Sequence, residues 1–150
     1  MVLCEAWSLR SAILQQTNID EDMIKRQVHC FYAAARRDPL IGPIFNANIG
    51  DWSEHLARMC AFWSSVILMT GAYSGTPMQA HAALPIGDDH FARWLELWAA
   101  TAYAQCPSAA AERFVLLARR IAHSLSRGIA VHRGELPVRQ PAARSSVDAW

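Results

Sequence analysis

The sequence has no apolar run long enough to cross a bilayer. Its most apolar stretch, residues 60–69, is short and broken by Ser64 and Ser65. There is no polybasic cluster, and the formal net charge is only +1. That removes both the field that attracts nucleic acid and the patch that holds anionic membranes. Cys4, Cys30, Cys60 and Cys106 are scattered and form no CxxC, which excludes a zinc knuckle and a dense disulfide framework. No GxGxxG occurs, so a dinucleotide-binding fingerprint is also missing. Residues 1–13 lack a charged segment followed by a clean apolar one, which argues against a signal peptide and for a cytoplasmic protein. No alternating strand pattern and no internal repeat appears.

What is present is 150 residues, 53% of them apolar, enough for one compact core. Residues 1–16 read as a loosely attached leader. The first firm helix starts at the Thr17-Asn18-Ile19-Asp20 cap signal and ends at Asp38-Pro39, with Ile24, Val28, Phe31, Tyr32 and Ala35 on one stripe. A short turn is expected over residues 40–45. The second long helix begins at Asp51, where Asp51 and Glu54 have capping-box spacing, and Gly71 is its natural stop. Between Pro77 and Leu84 there is room for about two helical turns. A third long helix is expected from about Asp88 to Gln105, with Phe91, Trp94, Leu95 and Trp98 on one face. A fourth carries Phe114, Leu117, Ala118, Ile121 and Leu125 to about Arg127. From residue 128 onward periodicity is lost and a disordered tail is expected. The domain is therefore residues 17–127, and the fold class is all-α.

Two histidines stand out by position. His55 falls one turn into the second long helix, on the face of Met59 and Phe62, and His81 lies on the short helix. A neutral imidazole is a good axial ligand for haem iron, and a short, loop-flanked helix can present it end-on to a flat ring. Taken singly, each is as well read as an ordinary polar residue at a helix surface. Tyr32 and Trp94 can each bury a ring and keep one donor. Converging with His55, they would make a polar spot in an apolar pocket, where directed donors stabilise the negative charge that dioxygen acquires on ferrous haem. As plain core aromatics they would take their hydrogen bonds elsewhere.

Several runs together carry a resemblance. Phe31-Tyr32, the run DPLIGPIFN over 38–46, DWSEH over 51–55 and Phe62-Trp63 come first. TGAYSGTPM over 70–78, HAALP over 81–85 and HFARWL over 90–95 follow in order. Across roughly residues 20–127 the chain resembles the group III truncated haemoglobins.

The resemblance implies a shortened globin fold, its helices packed two over two around one b-type haem. With no CxxCH in the chain, that haem would be held non-covalently. By similarity His81 is the proximal ligand and His55 the distal histidine. Tyr32 and Trp94 match the distal tyrosine and tryptophan, and Phe45 matches the corner phenylalanine against the porphyrin. Met59 and Phe62, with Phe31 and Trp63, are expected to line the apolar pocket. Arg58 is assigned to a haem propionate, against the commoner outcome of a solvated arginine, and Tyr73 is a further pocket candidate. His90, beside Asp88 and Asp89, is read as a capping or surface group and not as the ligand. Ala82 and Ala83 are small, which predicts a less tightly oriented His81.

The expected function is binding of O2, with CO, NO, peroxide and cyanide as further ligands. Donors around the ligand slow its release, which suits redox or scavenging chemistry better than delivery. The alternative is a peroxidase-like or NO-dioxygenase enzyme fed by a partner reductase. A third reading, a helical interaction module or a zinc site from His55, His81 and His90, fits zinc-ligand spacings poorly. The chain is expected to act as a monomer, without nucleic acid or membrane.

Overall fold

The computed structural model describes residues 17–135. The expected leader and the part of the expected tail beyond 135 lie outside the described residues. Among the described residues these helices follow in order: α1 Glu21–Ala35, α2 Gly42–Asn48, α3 Trp52–Ile67, α4 Pro77–Ala82, α5 Asp88–Gln105 and α6 Ser108–His132. No strand occurs among the described residues. α1 packs on both α3 and α5, α5 lies along α6, and α4 rests on α6. The result is two helix pairs, α1 with α3 and α5 with α6, joined where α1 crosses α5.

Local chemistry sets the starts of the long helices. Asp20 Oδ1 accepts the Met23 N–H at 2.8 Å and Asp51 Oδ1 accepts that of Glu54 at 3.0 Å, so each carboxylate satisfies an orphan donor. The buried face of α1 is Met23, Ile24, Gln27, Val28, Phe31, Tyr32 and Ala35, a helical stripe turned towards α3 and α5. At the centre Trp98, 1% exposed, stacks between Trp63 (centroids 4.4 Å) and Trp94 (5.7 Å). Its Nε1–H donates to the Phe114 carbonyl at 3.2 Å. Gln27, fully buried, donates to the Trp98 carbonyl at 3.1 Å.

Three boundaries differ from the expectation. The turn expected over 40–45 is largely the helix α2, with Pro43 in its first turn, where a missing N–H costs nothing. Gly42 allows α2 to sit there, because a Cβ at 42 would lie 2.8 Å from the Arg36 carbonyl oxygen and 3.0 Å from that of Ala35. α3 ends at Ile67, four residues before Gly71, because Met69 already takes the left-handed turn at φ 57°. Ser65 Oγ then accepts the Tyr73 N–H at 2.8 Å and draws the chain back along the helix. α6 continues past Arg127 to His132, and the left-handed residue that follows it is Gly134, not Gly128.

The α1–α2 corner is organised by Asp38, 6% exposed. Its Oδ1 accepts the Leu40 and Ile41 N–H groups, both at 3.0 Å, and its Oδ2 accepts Arg93 Nε from α5 at 2.7 Å. Burial alone would raise this carboxyl, but the Ile41, Arg93 and Leu40 hydrogen bonds outweigh it and hold the pKa below its usual value. A depressed folded pKa gives stability that is present above the unfolded value of about 3.9 and is lost as pH falls through the folded one. Asp38→Asn is therefore expected to cost about 1–3 kcal/mol at pH 7. In urea melts against wild type, the difference should shrink steadily below about pH 4. A difference that is constant down to pH 2 would show that the carboxylate charge is not what matters.

Candidate functional site

A cavity of about 430 Å3 opens between the two helix pairs, within the range of small-molecule and cofactor sites. Tyr32, Phe45, His55, Arg58, Met59, Phe62, His81 and Trp94 all line it, as do Phe31, Trp63 and Tyr73. Spacing along the chain explains the gathering. Tyr32 sits on the buried stripe of α1, His55, Met59 and Phe62 recur at i, i+4, i+7 on α3, and α4 brings His81. Residues that had read as plain core or turn also face the cavity, among them Ile44, Leu84, Phe91, Ile121 and Leu125. The apolar stripes of α5 and α6 were visible in the sequence, but nothing in their period says which positions border a void.

His81 is the best-defined donor. Its Nδ1 lies 2.6 Å from the Pro77 carbonyl oxygen. A carbonyl can only accept, so Nδ1 carries the proton and Nε2 of the neutral ring keeps its lone pair. Pro77 thus supplies the orientation that Ala82 and Ala83 are too small to give. His90 also lines the cavity but has the opposite arrangement. Its Nδ1 accepts the Gly87 N–H at 3.0 Å at the start of α5, which puts the proton of the neutral ring on Nε2. Asp89 Oδ1 lies 2.9 Å from the same nitrogen. His90 is thus held to the start of α5 by two contacts on Nδ1, whereas the contact of His81 with a carbonyl fixes its tautomer and leaves Nε2 available.

The polar end of the cavity is built around Tyr32. Its ring meets His55 edge-on at 5.1 Å and Phe45 at 5.4 Å. Trp52 backs both Tyr32 and His55, each at 5.8 Å, and carries the Arg36 guanidinium 4.1 Å above its own ring. The sequence offered Trp52 only as part of a motif, and its amphipathic position on the first turn of α3 was the available signal. Burial, helped by Cys60, pushes the Tyr32 hydroxyl well above its usual pKa, so it remains an O–H donor. Burial, then the positive charge of Arg58 and electrostatic coupling to the His81 ring, lower the pKa of His55 and favour its neutral form. His55 Nε2 is buried and has no hydrogen-bond partner among the described residues. Buried polar atoms are seldom left unpaired. Gln27 Oε1 in the core is another such atom, but only His55 Nε2 belongs to a residue lining the cavity, where a bound group can meet it.

Arg58 borders the cavity, but its guanidinium pairs with Glu54 Oε1 at 2.7 Å, one turn back on α3, and the side chain is 55% exposed. Among the described residues no group of three or more His, Cys, Asp or Glu is gathered to hold a metal ion. The donor set therefore suits one axial imidazole to a metal already chelated, and not the zinc site considered from His55, His81 and His90. A void walled by apolar and aromatic groups, a single imidazole with a free lone pair and an orphaned polar nitrogen all fit haem. No described helix is long and apolar enough to cross a membrane.

No family model matches the chain. It is similar to the group 3 truncated hemoglobin ctb of Campylobacter jejuni subsp. jejuni serotype O:2. The two are 36% identical over 85 residues, covering 53% of this chain and 67% of that protein. The structure is similar to the crystal structure of the group III truncated hemoglobin from Campylobacter jejuni, with a TM-score of 0.71 and 29% identity. That match covers 74% of this chain and 91% of the other. Sequence identity at that coverage, the all-helical fold and the similarity to a solved globin agree: the chain belongs to the group III truncated haemoglobins, and its cofactor is haem.

Proposed function

We propose that this chain holds one b-type haem non-covalently, with His81 as the proximal ligand, and binds O2, CO or NO for redox or ligand-scavenging chemistry. The observation that carries this reading is the pairing of a tautomer-fixed His81 with the unpartnered, buried Nε2 of His55 in one apolar cavity. The haem supplies a ferrous iron that binds diatomic ligands reversibly and exchanges electrons with them. His81 contributes the lone pair of Nε2, and Pro77 keeps the proton on the other nitrogen. Tyr32 contributes an O–H that burial keeps protonated, and Trp94 an indole N–H. His55, uncharged, directs its buried Nε2 chemistry without adding a net charge to the cavity. Phe45, Met59 and Phe62 exclude water and cover the flat faces of an aromatic ring system. Arg58 would have to leave Glu54 to meet a propionate, a cheap exchange at an exposed pair. Electrons would come from a separate reductase, and the reading takes the protein to be a cytoplasmic monomer.

Absorption spectra of ferric, dithionite-reduced and CO-treated protein test the reading. A Soret band that moves on reduction and again with CO is expected. Folded protein that takes up no haem would overturn it. Donors facing a bound ligand in a dry site are each worth about 1–3 kcal/mol. Tyr32→Phe and His55→Leu are thus expected to speed O2 dissociation by about 10- to 100-fold, measured by stopped-flow displacement. Unchanged rates in both variants would remove these residues from the ligand's surroundings.

A further inference from the structure

We propose that the C-terminal end of α6 is a clamp on His81: Gly128 and Arg133 fix the direction of its imidazole by holding the backbone on both sides of it. The proposal rests on the reading of His81 as the haem ligand. α4 is a helix of six residues with no buried side chain, and its N-cap residue Thr76 makes no capping hydrogen bond. A helix that short has no stability of its own, so its position must be imposed from outside. α6 grips it at both ends. Ahead of His81, the methyl of Met78 occupies the space that a Cβ at Gly128 would need, with Met78 Sδ 3.0 Å from that position. Beyond His81, Arg133 Nη2 donates to the Leu84 carbonyl at 2.7 Å and Nη1 to the Ile86 carbonyl at 2.9 Å.

These contacts lead directly to the ligand. The Leu84 N–H donates to the His81 carbonyl at 3.0 Å, so the guanidinium is one peptide unit away from the backbone of His81. At the other end the His81 ring is tied to Pro77, the residue before Met78. Met78, Gly128 and Arg133 do not themselves line the cavity, so whatever they do there passes through the segment that bears His81. They are positioning residues. A planar guanidinium reaches two carbonyls with two parallel donors, which an ammonium cannot reproduce. Gly128, a poor residue for a helix interior, is explained by the close approach of Met78. With the clamp in place Nε2 keeps one direction, and without it the ring samples several.

The test uses ferrous haem-loaded protein and reads the iron–imidazole stretching band by resonance Raman. Arg133→Ala is expected to shift and broaden the band and to speed haem loss to an acceptor globin about fivefold. Arg133→Lys should restore it only in part, and Gly128→Ala should move it in the same sense through Met78. Amide exchange on the haem-free protein should show Leu84 and Ile86 losing protection in Arg133→Ala. The decisive comparison is His81→Gly supplied with free imidazole, where the ligand is no longer attached to α4. There Arg133→Ala should leave the band unchanged. The clamp is overturned if Arg133→Ala and Gly128→Ala leave the wild-type band untouched, or if the same shift persists with free imidazole. A wild-type band that survives in His81→Gly without added imidazole overturns the assignment of His81 itself, a failure distinct from the other two.

Discussion

His81→Ala is expected to abolish the wild-type ferrous spectrum and to weaken haem retention severely, and added imidazole is expected to restore both. The argument is one of tautomers. Of the histidines lining the cavity, His81 has its Nδ1 proton held by a carbonyl, 2.6 Å away at Pro77, whereas His90 has its Nδ1 held by a backbone amide of Gly87 at 3.0 Å. The first arrangement leaves the Nε2 lone pair free to coordinate, while His90 is held at Nδ1 to Gly87 and Asp89 at the start of α5. Removing the imidazole leaves a space of its own shape beside the haem pocket, and an engineered cavity of that kind accepts the small molecule it is missing. Reduced and CO-bound spectra, with and without imidazole, check the outcome. If His81→Ala keeps the wild-type spectra, the ligand is another histidine, and His90→Ala becomes the variant to compare. If haem is lost and imidazole restores nothing, the variant has lost the pocket and not only the ligand.

The resemblance made the site readable, while physical reasoning from residues alone left its members open. Starts of helices were legible because they are local: Asp20 and Asp51 each satisfy an amide three residues ahead, whatever the rest of the chain does. Ends were less so. Gly71 and Gly128 both look like stops, yet α3 ends at Ile67 with Met69 already left-handed, and α6 runs through Gly128 to His132. The role of Gly128 is decided by what packs on it, Met78 from a distant segment, whereas Gly71 has open space around it and only takes a left-handed turn after the helix has ended. The turn after α1 likewise depends on Arg93, 55 residues away from the Asp38 it binds. Inside the site, the gathering of Tyr32, His55, Trp94 and His81 follows from stripes that face inward. The proton on His81 does not, because it depends on a carbonyl that sequence does not place. Arg58 shows the reverse case, a local partner four residues back that competes with a distant one.

Trp98→Ala is expected to cost about 3–5 kcal/mol of folding free energy, the usual result of truncating a buried tryptophan. Against a total stability of about 5–15 kcal/mol, that brings the haem-free protein close to unfolding. The ring is 1% exposed and sits between Trp63 and Trp94, with Phe31 edge-on at 5.2 Å and Phe114 at 6.1 Å. Truncation would leave a void bordered by elements α1, α3, α5 and α6 together, and it would also remove the indole N–H that the Phe114 carbonyl accepts. Trp98→Phe separates the two losses, since it keeps most of the packing and removes only the donor. It should cost about 1–3 kcal/mol. The same residue links stability to the site, because Trp94 and Trp63 both line the cavity and both lean on Trp98. Haem binds only the folded chain, so it stabilises by mass action and should raise the denaturation midpoint of every variant. Urea melts are therefore needed with and without haem. A loss below about 1 kcal/mol in the haem-free protein would mean the stack rearranges to fill the gap. A large loss, recovered on haem binding, would mean that the tryptophan stack and the cofactor stabilise the same arrangement of helices.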